Sequence, residues 1–169
     1  MKNQLSNSAY IRIADKDDAL IIEQLANQIW PITYEAIISK EQINYMLNLM
    51  YNQQTLVEQM QLGCEFLLIY LEDKPAGFAA WTSNTENKIA KLEKIYVLPK
   101  QHKKGLGQLL LDEIIEKCKE KGIAKLKLNV NRENNAKLFY EKNDFEIIET
   151  VDISLDKFWL NDFIMMKNL

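Results

Sequence analysis

The sequence predicts a mixed α/β fold: a central, mostly antiparallel sheet with locally parallel middle strands, flanked by helices. Three observations predict it. In the first third, apolar residues recur at helical spacing in "DKDDALIIEQLANQIW" and "SKEQINYMLNLM". The middle changes to short runs separated by turns, "CEFLLIYL", "AGFAAWTS" and "KIAKLEKIYV". A strand, a helical stretch and another strand then follow in the order that a parallel βαβ unit requires.

Each element has a local reason. "AYIRIA" alternates as a strand does. Asp15 suits the N-cap of the first helix, whose apolar stripe is Ala19, Ile22, Leu25, Ala26 and Ile29, and Pro31 is expected to break or kink it. Ser39 with Gln42 three residues on is a capping-box pattern for a second helix. "NQQTLVEQMQL" continues as helix to Gly63, and three meander strands follow. Gly105 to Lys121 reads as a helix with Leu106, Leu109, Leu110, Ile114 and Ile115 on its apolar side, terminated by Gly122. "IAKLKLNV" is a strand, "NRENNAKLFYEKND" a short helix, "FEIIETVDI" a strand and "DFIMMKNL" a closing strand. No repeat, low-complexity segment or linker divides the chain, so residues 1–169 are expected to form a single domain.

Composition narrows the function. Apolar residues make up 47% of the 169, enough for a real core. The net charge of −3 argues against a general nucleic-acid binder. Cys64 and Cys118 have no metal or CxxC spacing and are expected to be core thiols in a reducing compartment. No secretory leader is evident, and the apolar runs are too short to span a bilayer. A cytoplasmic protein without membrane or nucleic-acid partners is the expectation.

Against this acidic background, "LPKQHKKGLGQLLLDEI" concentrates Lys100, His102, Lys103 and Lys104 just before Gly105 and Gly107, where a helix starts. A helix start carries unpaired N–H groups and a partial positive charge, and glycines let an anion approach the backbone. The segment reads as a pyrophosphate seat. It is not a P-loop, because no Lys-Ser/Thr pair follows the glycines, nor a dinucleotide fingerprint, because Leu110 stands where the third glycine belongs.

"YVLPKQHKKGLG" resembles the pyrophosphate loop of the GCN5-related N-acetyltransferases, Gln/Arg-x-x-Gly-x-Gly/Ala after a strand ending V-x-P. His102 replaces the usual Gln or Arg, with Gln101 beside it. A second match lies in "NVNRENNAKLFYEKNDF", where Ala136, Tyr140, Glu141, Lys142 and Phe145 fall in register with the family's C-terminal segment. Asp144 stands where glycine is usual, and Asn134 and Asn135 lie beside the usual asparagine. The order of elements agrees along nearly the whole chain.

The resemblance implies the acyl-CoA N-acyltransferase fold. It also implies acetyl transfer from acetyl-CoA, a cosubstrate, to a primary amine by direct attack in a ternary complex, without a metal. It implies that His102, Lys103, Lys104, Gly105, Leu106, Gly107 and Gln108 hold the cofactor, with Asn134 and the backbone amides of Ile95 and Val97. Tyr140 is implied as the acid that protonates the departing thiolate. Alternation puts Lys91, Glu93, Ile95 and Val97 on one strand face, so Glu93 is the candidate base. Its alternative is a solvent-facing charge. Trp30 and Tyr34, and then Tyr45, are candidates for the acceptor pocket, with core packing as the alternative. His102, the only histidine, is expected to act as a loop residue and not as a base. The acceptor stays open between a small-molecule amine and a protein or peptide amine, and the acidic charge favours a cationic one. Pairing as a homodimer would involve the last strand. Two other readings are a non-catalytic acyl-CoA-binding regulator on the same fold, and an unrelated ATP-sensing module, which the glycine spacing disfavours.

Overall fold

A computed structural model describes residues 8–169. The expected lack of a secretory leader rests on "MKNQLSNSAYIRIA", whose residues 1–7 lie outside the described residues. The elements are β1 (Ala9–Ile13), α1 (Ala19–Tyr34), α2 (Lys40–Met50), α3 (Gln53–Gln61), β2 (Glu65–Leu71), β3 (Lys74–Asn84), β4 (Ile89–Val97), α4 (Leu106–Glu120), β5 (Lys125–Asn131), α5 (Ala136–Lys142), β6 (Glu146–Leu155) and β7 (Phe158–Asn168). Single 3-10 turns cover Lys16–Asp18 and Pro99–Gln101. The strand order is β1-β2-β3-β4-β5-β7-β6. β4 and β5 pair in parallel, and the recorded pairs of β1 with β2, β2 with β3, β5 with β7 and β6 with β7 are antiparallel, as expected for the fold class.

The described residues form two compact units. The first holds α1–α3, β1, β2, β3 to Trp81, and the stretch from Lys94 to Ile114. Its helices start on side-chain caps. Ser39 Oγ accepts from Gln42 N at 3.1 Å, and Asn52 Oδ1 accepts from Thr55 N at 2.9 Å. Trp30, Tyr34, Tyr51, Phe78 and Tyr96 pack ring against ring, and the Tyr34 and Tyr96 hydroxyls lie 2.9 Å apart. Lys94 lays its ammonium over Tyr51 and Phe66 and donates to Gln59 at 3.1 Å.

Pro31 does not break helix α1. The helix passes it and continues to Tyr34. Only three residues follow the proline, and buried Trp30 and Tyr34 anchor that last turn in the aromatic core, which outweighs the missing N–H.

Ahead of α1, Asp15 caps the 3-10 turn, and Asp18 receives both arms of the Arg12 fork at 2.8 and 2.7 Å and the Asp15 amide at 2.9 Å. The Arg12 hydrogen bonds hold the Asp18 carboxyl below its ordinary range. A depressed folded pKa gives stability that is present above the unfolded value of about 3.9 and is lost as pH falls through the folded value. Asp18→Asn therefore costs about 1 kcal/mol at neutral pH, discounted because Arg12 is half-exposed. Urea melts should show the gap to wild type closing below about pH 4; a gap independent of pH would rule out the charge as its source.

The second unit holds Thr82–Glu93 and Ile115–Leu169. β4 and β5 run level from Ile89 with Lys125 to Leu92 with Leu128. β5 alternates cleanly: Leu126, Leu128 and Val130 are buried, whereas Lys127, Asn129 and Asn131 are only half-buried. β6 and β7 form a hairpin around Asp156 and Lys157. β7 thus begins at Phe158, earlier than the expected "DFIMMKNL", because Asp156 takes a left-handed φ of 54° and turns the chain there. Helix α5 is shorter than the expected span 131–144. Asn131 and Asn134 side chains accept from Glu133 N and Ala136 N at 2.9 Å each, so local turns take the place of the first helical turn. Both cysteines are buried, as the sequence predicts. Burial pushes the Cys118 thiol up to about 11, which leaves it unreactive.

Candidate active site

In the first unit the strand-to-helix loop is a rigid turn that ends in open backbone. Gln101 N bonds Leu98 O at 2.8 Å and His102 N bonds Pro99 O at 3.1 Å, closing the 3-10 turn. The His102 ring nitrogen Nε2 lies 2.8 Å from Val97 O. A carbonyl only accepts, so Nε2 carries the proton in this contact. This bond ties the loop to the end of β4. The Gln101 side chain accepts from Lys104 Nζ at 2.8 Å.

Beyond His102, Lys103 and Gly105 have φ of 63° and 77°. Such turns gather amide N–H groups toward one side. Leu109 N bonds Gly105 O at 3.0 Å, so α4 winds from Gly105. A Cβ at Gly105 would meet nothing within 4 Å. The glycine is there for its backbone angle and for the open space in front of it. Lys103 and Lys104 are exposed, and no acid occurs from Lys94 to Leu111. A helix start beside exposed cations, with no acid near in sequence, suits a pyrophosphate. Gln108 turns its side chain to Asp112 at 2.8 Å.

A bulge governs the approach of β3 to β4 in this unit. Ile69 pairs with Gly77 but Tyr70 pairs with Pro75, so Ala76 is the extra residue, and its carbonyl accepts from Leu98 N at 2.8 Å. A Cβ at Gly77 would sit 2.5 Å from Tyr96 O and 3.1 Å from Val97 Cα. Sequence reasoning missed Gly77, although a glycine inside a strand pattern signals a bulge or close backbone approach. Trp30 and Tyr34, candidates for acceptor contact, lie in the aromatic core at 3% and 9% exposure. Tyr45 is half-buried on α2.

In the second unit Tyr140 sits on α5 at 7% exposure, packed edge-on against Phe139 and Phe145. Its carbonyl accepts from Phe145 N while Glu141 O accepts from Asp144 N, both at 3.1 Å, which is a Schellman closure. Asp144 provides the left-handed residue, with φ of 66°, where a glycine is usual. That conformation costs an L-residue about 1–2 kcal/mol. Lys167 offsets part of it by bonding Asn143 O at 2.9 Å and reaching the Asp144 carboxylate at 3.4 Å. The joint is therefore closed in the glycine manner without glycine. Asn134 caps the approach to α5 through Ala136 N. Its side-chain oxygen thereby fixes the helix that carries Tyr140.

Glu93 accepts from Thr82 Oγ1 at 3.0 Å and pairs with Lys91 at 3.4 Å. Two neighbours along β5 and β7 escaped sequence reasoning: Asn129 donates to Asp162 at 3.5 Å. Desolvation raises the Asp162 pKa, against the opposing effects of Asn129, Arg132 and Lys91. The alternation of "KLKLNVN" was the available signal. Among the described residues no group of three or more His, Cys, Asp or Glu could hold a metal ion, and no helix is long and apolar enough to cross a membrane.

The chain was compared with known proteins. Residues 34–158 match the model of the acetyltransferase (GNAT) domain. Spermidine N(1)-acetyltransferase of Thermoplasma acidophilum is 30% identical over 166 residues, covering 95% of this chain and 97% of that protein. The crystal structure of PaiA N-acetyltransferase from Thermoplasma acidophilum in complex with coenzyme A superposes with a TM-score of 0.83 at 29% identity, covering 96% and 99% of the two chains. A GCN5-related N-acetyltransferase from Rhodopseudomonas palustris shares the fold, with a TM-score of 0.82 at 19% identity and 96% coverage of each chain. The chain belongs to the GNAT family of acetyltransferases and uses acetyl-CoA as its acyl donor.

Proposed function

We propose that the chain works as one N-acetyltransferase domain that moves the acetyl group of acetyl-CoA directly to a primary amine of a cationic, polyamine-class acceptor in the cytoplasm. The observation that carries the donor half is the acid-free basic loop running into α4, with its two left-handed residues and open helix start. The acceptor half draws on the relative named for spermidine, which aligns along nearly its full length, and on the net charge of −3.

In this reading the loop amides and Lys103 and Lys104 hold the pyrophosphate, and the amides of Ile95 and Val97 hold the acyl arm and the developing oxyanion. An alkylammonium with a pKa near 10.4 must lose a proton first, a cost of about 4–5 kcal/mol at neutral pH. Glu93 accepts that proton through water. The amine nitrogen bonds the thioester carbon, the C–S bond breaks, Tyr140 protonates the departing sulfur, and the new amide nitrogen gives up its extra proton, which restores the phenol.

The test is a melt with acetyl-CoA, with ATP as control, followed by thiol release with an amine series. At a hundred-fold excess over Kd the donor adds about 2.7 kcal/mol, which is about 5–10 °C at this chain length. A shift with acetyl-CoA alone and thiol release with spermidine are expected. A shift without release for any amine would leave the acyl-CoA-binding regulator as the better reading. Equal shifts with ATP would withdraw the donor assignment.

A further inference from the structure

Helix α5 lies along one face of β7. Alternation along β7 puts Phe163, Met165 and Lys167 on that face. Near the start of the helix, the Lys137 ammonium stands over the Phe163 ring at 5.9 Å. At its end, Lys167 Nζ donates to Asn143 O at 2.9 Å. Lys167 is a well-held donor, because its side chain is only 18% exposed and its strand pairs level with β5 at Leu126.

Continuous contacts run from Lys167 to Tyr140. Asn143 O belongs to the peptide that precedes Asp144, whose φ of 66° is left-handed. Turning Asp144 toward an ordinary angle rotates that peptide and carries its carbonyl off Lys167. The same motion withdraws Phe145 N from Tyr140 O and Asp144 N from Glu141 O, each now bonded at 3.1 Å. Phe145 is 2% exposed, and its ring packs against Tyr140 with centroids 5.6 Å apart. The angle at Asp144 therefore sets where Phe145 bears on Tyr140. Lys167 also reaches the Asp144 carboxylate at 3.4 Å, but that side chain is 88% exposed, so the ion pair adds little. The shorter, shielded bond to the Asn143 carbonyl is the one that holds the angle.

We infer that Lys167 is a positioning residue for acetyl transfer: it locks Asp144 in a glycine's angle and so keeps the Tyr140 hydroxyl in line with the departing sulfur. This rests on the reading of Tyr140 as the acid. A glycine at 144 takes the angle without strain, so Lys167 matters for turnover because an aspartate stands there.

The experiment measures kcat for thiol release at saturating acetyl-CoA, with spermidine or whichever amine of the series is fastest. Strain of this kind, once released, leaves about one molecule in ten with the joint closed. Lys167→Met is thus expected to lower kcat about 10-fold and to leave the Kd for acetyl-CoA within about two-fold. Asp144→Asn and Asp144→Gly keep the carbonyl bond and should turn over as wild type does. Adding Asp144→Gly to Lys167→Met should restore kcat to within about two-fold, because glycine holds the angle unaided. In a Tyr140→Phe background, Lys167→Met should cost nothing further. An unchanged kcat in Lys167→Met overturns the inference. So does a double variant with Asp144→Gly that is as slow, or as poorly folded, as Lys167→Met alone. A full further loss on top of Tyr140→Phe overturns it too, and each of these leaves Tyr140 as the acid. A wild-type kcat in Tyr140→Phe, or a wild type that releases no thiol with any amine of the series, overturns both.

Discussion

Tyr140→Phe lowers kcat for acetyl transfer by about 100-fold or more and leaves the Kd for acetyl-CoA within about two-fold. The substitution removes one hydroxyl and keeps the ring. Packing against Phe139 and Phe145 is retained, as is the Schellman closure, which uses backbone groups only. Any loss of rate then reports on the hydroxyl and not on the helix. A proton donor to sulfur acts in the transition state alone, so its loss lowers kcat and kcat/KM together. The deficit should shrink with an acetyl thioester whose thiol has a low pKa, because that leaving group departs without protonation. A wild-type kcat in the phenylalanine variant removes Tyr140 from the chemistry. A fall in kcat that is equal for both thioesters assigns the hydroxyl to positioning.

Much of this was legible in the residues. Periodicity located the helices and the meander, and glycine spacing with the basic run located the loop, because those signals are local. What escaped was set by tertiary context. Pro31 breaks no helix because the turn after it is anchored by buried rings that spacing alone does not reveal. Trp30 and Tyr34 share one signal whether they line a pocket or a core, and the structure buries both. His102 departs from the family pattern, yet its ring reaches the Val97 carbonyl, a contact that depends on loop geometry. Asp144 adopts a glycine's angle with help from Lys167, twenty-three residues away in sequence. Asp162 stood in a plain strand pattern. Its environment depends on the β5–β7 register, which no short window encodes.

Gly77→Ala is expected to lower Tm by about 5 °C or more and to weaken acetyl-CoA binding by about 10-fold, although residue 77 makes no proposed contact with the cofactor. The added methyl would lie 2.5 Å from Tyr96 O, a backbone atom that cannot rotate aside. Overpacking of this kind costs about 1–3 kcal/mol, or roughly 2–4 °C per kcal/mol for a chain of this size. The strain is relieved most readily by moving the end of β4 away from β3. That movement disturbs two bonds of the loop, Leu98 N to Ala76 O and the His102 ring to Val97 O. It also displaces the Val97 amide proposed to hold the acyl arm. Gly105→Ala separates the two effects. It meets no neighbour but is strained at φ of 77°, so it should weaken acetyl-CoA binding with a stability loss nearer 1 kcal/mol. If Gly77→Ala melts and binds as wild type does, β4 tolerates the displacement and the bulge at Ala76 has no part in setting the loop. If it melts low but binds normally, the close approach serves stability alone. Loss of both together makes this one missing Cβ the point where the β2–β3 bulge fixes the position of the phosphate-binding loop.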